Sequence, residues 1–185
     1  MPKILVFSGS TRPASYNRRL AAVAARDLRA LGANVKEISL ADYPLPFVDQ
    51  DGRASIPDAA RAFRAEIDAH DGFFIACPEY NAGYTPLLKN ALDWASVAKP
   101  SLAFGAKVVA LGGASTGPRG GYRALTQLRA ALELGFGALV LPEMVSVPFA
   151  DKALPEGGQL EDAHVAGFLA ACLKRLVAEA AFARG

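Results

Sequence analysis

The chain has little of what the commonest covalent and metal chemistries need. Its 185 residues include only two cysteines, Cys77 and Cys172, and two histidines, His70 and His164. Two cysteines make no disulfide framework, neither sits in a C-x-x-C or other metal-ligand spacing, and both read as buried thiols. Neither histidine has a His, Cys or carboxylate at ligand spacing; Asp71 and Asp162 read as a surface residue and a helix-start acid, so no metal site and no histidine-activated nucleophile is expected. Cys77 ends a strand beside Pro78, where a small buried hydrophobe is the simplest reading. An excess of charge is missing too: 20 basic and 18 acidic residues leave +2, with no run of five like charges. Nothing there favours nucleic acid, and Arg18-Arg19, Arg26 and Arg29 read as the solvated face of a helix. No apolar stretch approaches the roughly 20 residues of a bilayer span, so no membrane partner is expected. Met1-Pro-Lys3 leads directly into a strand without the regions of a secretory leader, and the expected location is cytoplasmic.

What the chain does have is a core. With 52% hydrophobic residues it can fold as one domain over 1–185. Five short apolar runs, Lys3 to Phe7, Asn34 to Ile38, Gly72 to Cys77, Lys107 to Leu111 and Ala138 to Leu141, predict strands covered on both faces, hence a parallel sheet. Helical spacing fills the gaps: Leu20, Val23, Ala24, Leu28 and Leu31; then Ala60, Phe63 and Ile67 behind the start signal Ser55-Ile-Pro-Asp58. Thr85-Pro86 supplies an N-cap and N1 proline before Leu88 and Leu92, Leu125, Leu128 and Leu132 follow Gly120-Gly121, and Val165, Phe168, Leu169, Cys172, Leu173, Leu176 and Val177 mark a last helix. Alternating β and α units with short connections predict an open α/β fold, a flavodoxin-like three-layer sandwich with a five-stranded parallel sheet in the order 2-1-3-4-5. Ligands of such sheets bind where the strand order reverses, between strands 1 and 3, a position that suits FMN.

The loops at that position are dense in polar residues. Gly9-Ser-Thr-Arg-Pro-Ala-Ser-Tyr-Asn17 joins the first strand to a helix. There Ser10, Thr11, Ser15, Asn17 and the guanidinium of Arg12 can supplement the unpaired N–H groups of a helix start to hold an anion, and Tyr16 is counted with them. The turn lacks the full G-x-G-x-x-G fingerprint and the G-x-x-x-x-G-K-[ST] loop, so one terminal phosphate suits it better than a pyrophosphate or triphosphate. Ordinary capping without a ligand is the alternative. After the third strand, Pro78-Glu79-Tyr80-Asn81 offers polar groups and an aromatic face that match a planar heterocycle such as a flavin, or simply a turn. Ser115, Thr116 and Gly117 follow the fourth strand in a glycine-rich connector. Tyr84, Leu87 and Trp94 cannot all face inward with Leu88 and Leu92, which leaves either apolar surface for a homodimer or homotetramer through the Tyr84 to Trp94 helix, or core burial of Trp94. The proline-bearing stretch from Ala41 to Pro57 is either a lid or a connector.

These blocks resemble those of the NADPH-dependent FMN reductase family. Gly9 to Asn17 is similar to its G-S-x-R-x-x-S-x-N phosphate loop, Pro78-Glu-Tyr-Asn81 with Leu88-Lys-Asn-Ala-Leu-Asp-Trp94 to its second block, and Gly120-Gly121 with Arg123 and Leu128-Arg129 to its third. The likeness covers residues 9 to 129 and fades after about Pro142; Gly112-Gly113-Ala114 departs from the hydroxyl residues common in relatives. The resemblance implies a flavodoxin-like FMN enzyme in which Ser10, Arg12, Ser15 and Asn17 bind the phosphate, while Pro78 to Asn81 and Ser115 to Gly117 line the isoalloxazine. It further implies no catalytic side chain, with NADPH or NADH passing a hydride to the flavin and a quinone-like or other small acceptor taking the electrons in a ping-pong cycle. A non-enzymatic FMN redox switch and a flavodoxin-type electron carrier are the alternatives; the strong acidity and T/S-x-T-G-x-T loop of true flavodoxins are missing.

Overall fold

A computed structural model describes residues 1–49, 55–99, 101–105 and 107–183. Its strands are Lys3–Ser8 (β1), Asn34–Glu37 (β2), Gly72–Ala76 (β3), Glu79–Tyr80 (β4), Gly83–Tyr84 (β5), Val108–Ala114 (β6) and Leu139–Val147 (β7). β2, β1, β3, β6 and β7 lie side by side in that order, every pairing parallel. Counted within the sheet this is 2-1-3-4-5, with the reversal between β1 and β3. The long helices are Tyr16–Ala30 (α1), Asp58–Ala69 (α2), Pro86–Val97 (α3), Tyr122–Phe136 (α4) and, after a single turn at Ala150–Ala153 (α5), Ala163–Phe182 (α6).

Side-chain alternation along the strands explains both their continuous apolarity and the three layers. Ile4 and Val6 of β1 pack with α1 and α6, through Leu20, Leu28, Cys172 and Leu176. Leu5 and Phe7 point the other way, into a layer with Phe63, Leu88, Leu92, Leu125 and Leu132 from α2, α3 and α4. That second layer carries the aromatic contacts, such as Phe73 edge-on to Phe104 at 5.0 Å.

Two strands run further than their apolar runs suggest. β6 continues through Gly112 and Gly113 to Ala114 because the sheet has no room for side chains there: a Cβ on Gly112 would lie 2.7 Å from Cζ of Phe74. β7 continues past Pro142 because it is an edge strand, where a missing N–H is tolerated, and an irregularity opposite Val109 and Leu111 absorbs the extra residues. Phe168, expected on the inner stripe of α6, is 41% exposed.

Of the two readings of Trp94, the structure takes core burial. The residue is 1% exposed, because the stretch after β2 crosses α3 as a strap. The Trp94 indole and Asn90 amide donate to the Pro46 carbonyl at 2.6 and 2.8 Å, and Asn90 Oδ1 accepts the Val48 N–H at 2.9 Å. The chain thus covers Trp94 with its own backbone and leaves Tyr84 and Leu87 half-exposed. Of the Ala41 to Pro57 segment, residues 50–54 lie outside the described residues. Among those described, no helix is long and apolar enough to cross a membrane.

Candidate functional site

In a parallel sheet of this kind, every strand ends where the next helix begins, so helix N-termini gather at one edge. Three loops meet there and are bolted together by hydrogen bonds. The Gly9 N–H donates to the Ala76 carbonyl (2.9 Å), and the Thr85 hydroxyl, which caps α3 by accepting from the Leu88 N–H, donates to the Gly9 carbonyl (2.8 Å). Gly9 has to be small, since a Cβ would meet Pro78 at 3.1 Å and Leu88 at 3.2 Å. Behind the third loop, the Ser115 N–H donates to the Val147 carbonyl and the Ala150 N–H to the Ser115 carbonyl.

The loops enclose a cavity of about 310 Å³, a size in the lower range of small-molecule sites. Ser10, Arg12, Ser15, Tyr16 and Asn17 form one wall, Pro78, Glu79 and Tyr80 a second, and Ser115 and Thr116 a third together with Ala114. Thr11, Asn81 and Gly117 are not in the walls: Thr11 and Asn81 are exposed beside them, and the Gly117 N–H closes a turn on the Ser115 hydroxyl at 3.1 Å. Ala114 was not foreseen, having no polar side chain to mark it.

Within the first wall the groups differ in availability. Ser15 is the N-cap of α1 and only 3% exposed, yet its hydroxyl makes no capping bond. No acidic residue stands in the first turn of α1, and Arg12 forms no ion pair among the described residues. Hydroxyl, guanidinium and helix N-terminus are therefore all free to meet an anion. Asn17 is partly engaged. Its amide donates one N–H to the Ala114 carbonyl (2.8 Å) and accepts the Ala114 N–H (3.0 Å), so this side chain ties the start of α1 to the end of β6 and keeps a second amide N–H for the cavity that it lines.

Glu79 is similarly occupied. Its carboxylate pairs with the Arg123 guanidinium and also accepts the Arg123 backbone N–H at 3.2 Å, so it caps α4 from 44 residues away. That bond fixes the β4–β5 hairpin, whose two turn residues, Asn81 (φ 49°) and Ala82 (φ 67°), are both left-handed. Tyr80, 63% exposed, stands at the cavity mouth with its ring available for stacking.

Cys77 lies under the floor, 0% exposed, with its Sγ 3.5 Å from the Pro78 carbonyl. Burial pushes its thiol up to about 12, so no thiolate forms at neutral pH. His70 is buried with Nδ1 2.6 Å from the Glu66 carbonyl, at the opposite edge of the sheet. Among the described residues, no three of His, Cys, Asp and Glu cluster in a way that would hold a metal. The cavity thus offers one anion cradle and a slot with an aromatic rim, and the one carboxylate in its walls, Glu79, is held by Arg123. Those features fit FMN, whose ring carries its own reactivity.

The model of the NADPH-dependent FMN reductase family matches residues 2–152. The chain belongs to that family. An NAD(P)H-dependent FMN reductase of Pseudomonas aeruginosa is 38% identical over 163 residues, which are 86% of this chain and 85% of that protein. A quinone reductase of Escherichia coli is 31% identical over 179 residues, 91% of this chain and 92% of its own. Among solved structures, an NAD(P)H:acceptor flavoenzyme of Paracoccus denitrificans superposes with a TM-score of 0.79 at 25% identity, covering 98% of each chain. As a member of the family, the chain is an NAD(P)H-dependent flavin oxidoreductase, and the match begins at the first strand and takes in all three loops.

Proposed function

We propose that the cavity holds FMN with its phosphate against the Ser10, Arg12 and Ser15 wall and its ring between Tyr80 and the 114–116 wall, and that quinone-like small molecules are the acceptors. The whole of 1–185 acts as one FMN-binding domain in this reading. The observation that carries it is the unpaired Arg12 beside the uncapped Ser15 hydroxyl at the start of α1. FMN held there would supply the redox chemistry, since its ring can take up a hydride, that is two electrons and one proton, from reduced nicotinamide, and a quinone that received these would need one further proton from water. The protein contributes position: α1 places positive potential at the phosphate, the exposed Tyr80 ring offers a face to the flavin, and the open mouth admits nicotinamide and acceptor in turn.

A shared mouth supports ping-pong kinetics. A homodimer or homotetramer belongs to the proposal through half-exposed Tyr84 and Leu87 of the α3 region, now without Trp94. Two free, buried thiols suit the reducing cytoplasm.

The test is direct. The purified chain is titrated with FMN by fluorescence quenching, and NAD(P)H oxidation is followed at several concentrations of a benzoquinone. Saturable FMN binding and parallel double-reciprocal lines are expected. Absence of FMN binding overturns the reading of the cavity; intersecting lines overturn the ping-pong scheme; slow, single-equivalent reduction of the flavin points to a redox switch.

A further inference from the structure

A second cavity, about 370 Å³, opens on the other side of the phosphate loop, over the carboxyl ends of β1 and β2 and against α1. Ser10 belongs to the walls of both cavities. Its polar rim is formed by Arg18, Glu37 and Ser39, and Ala22 and Ile38 contribute apolar surface. Arg18 is exposed and forms no ion pair among the described residues. Glu37 engages Arg29 through Oε1 at 2.8 Å, and the Ser39 hydroxyl accepts the Ala41 N–H, which leaves its own proton to donate.

An unpaired cation, a carboxylate and hydroxyl that accept and donate, and a narrow apolar strip together match a nucleoside 5′-phosphate. The phosphate suits Arg18, the ribose hydroxyls suit Glu37 and Ser39, and the base suits Ala22 and Ile38. The setting adds a second argument. From β2 to β6 there are three strand spacings, roughly 15 Å at about 4.8 Å each, so one extended dinucleotide laid across the Ser10 turn reaches from this cavity to the ring slot beyond the phosphate cradle.

We infer that this cavity receives the adenosine half of the reduced pyridine dinucleotide, with Arg18 pairing to its phosphate and Glu37 accepting from its ribose. The inference rests on the FMN reading of the first cavity. It gives the adenosine half a place of its own, although neither motif nor spacing marks one, while the nicotinamide still takes turns with the acceptor at the ring slot. It also places a carboxylate beside the ribose, where an unmodified diol is accepted and an added 2′-phosphate meets like charge.

The probe is ADP-ribose, which keeps the adenosine half and lacks nicotinamide. Titrated by calorimetry into the FMN-loaded protein, it binds the parent, and Arg18→Ala and Glu37→Gln each weaken it at least fivefold, while Arg18→Lys restores most of the loss. FMN affinity stays within twofold in all three variants. In turnover, Arg18→Ala raises KM for NADH and leaves kcat and the quinone KM unmoved. No ADP-ribose binding to the FMN-loaded parent, or equal affinity in parent and both variants, overturns the inference while the FMN reading stands. A loss of FMN from Arg18→Ala also overturns it, by assigning Arg18 to the first cavity. If the parent itself takes up no FMN, it is the reading of the first cavity that has failed.

Discussion

The two edges of the sheet use their charged side chains in opposite ways. At the edge where strands begin, Arg64 is 3% exposed and fully engaged: Nε to Asp68 (2.9 Å), Nη1 to the Ala95 carbonyl (2.8 Å) and Nη2 to the Ser101 hydroxyl (2.8 Å). Lys107 nearby donates to the His70 carbonyl at 2.5 Å, and burial lowers its pKa below the ordinary lysine value. Asp71 accepts the Lys3 N–H at 2.7 Å. At the edge where strands end, Arg12 and Arg18 have no ion-pair partner among the described residues, and the Ser15 hydroxyl makes no capping bond. Buried polar groups must be satisfied within the chain for it to fold. Groups left over at an accessible edge are therefore the ones available to a ligand, and on that contrast Arg64 is structural while Arg12 and Arg18 are proposed to bind.

Substitutions can break that contrast. The largest effect is expected from Arg64→Ala, which strands the Ala95 and Ser101 acceptors and removes a partner of Asp68: a loss of about 2–4 kcal/mol, or roughly 5–15 °C in Tm. Asp68, whose carboxyl is held below its ordinary value through bonds to Arg64 and Lys99, loses part of that support. FMN affinity per folded molecule should not change; a lower affinity in Arg64→Ala would show that the two edges are not independent. Arg12→Ala is the mirror image, with at least tenfold weaker FMN binding, about 1.4 kcal/mol or more, and an unchanged Tm of the FMN-free protein. Equal FMN titration curves for Arg12→Ala and parent would remove the distinction between the edges. A smaller gain sharpens the comparison at the cavity rim. Ala82 holds a left-handed conformation that costs a side chain about 1 kcal/mol, so Ala82→Gly should raise Tm slightly and leave FMN affinity as it is. A Tm at or below that of the parent would mean that the hairpin does not bear the strain its dihedral angles imply.

Much of this layout was legible in the amino-acid order. The five apolar runs became the five parallel strands, although only β1, β3 and β6 are covered on both faces, while β2, at the edge, leaves Asn34, Lys36 and Glu37 exposed, and Thr85-Pro86 and Asp162 start α3 and α6 as their capping chemistry requires. The reversal between strands 1 and 3 then brought together ten of the residues that line the cavity. What escaped depended on contacts far apart in sequence. Glycines read as a loop at 112 and 113 were strand, because only the positions of Phe74 beside Gly112 and of the Gly120 and Cys77 carbonyls beside Gly113 reveal why they must be small. The last apolar run ended at Leu141, six residues short of the end of β7, because edge status is a property of the sheet. Trp94 could be read as surface or as core, and only the strap at Pro46 decides for core. Asn17 and Glu79 bear side chains suited to a ligand, yet each is used by a partner 97 and 44 residues away, which local pattern cannot anticipate. The second cavity has no motif at all; it exists because α1 leaves space beside the end of β2.

The pair of hydrogen bonds between Asn17 and Ala114 acts as a fixed ruler. Because one amide meets both the carbonyl and the N–H of the last strand residue, the start of α1 and the end of β6 cannot slide apart without giving up both contacts together. The gap between them is thereby set before any guest arrives, and whatever enters it is spared the work of drawing the two walls together.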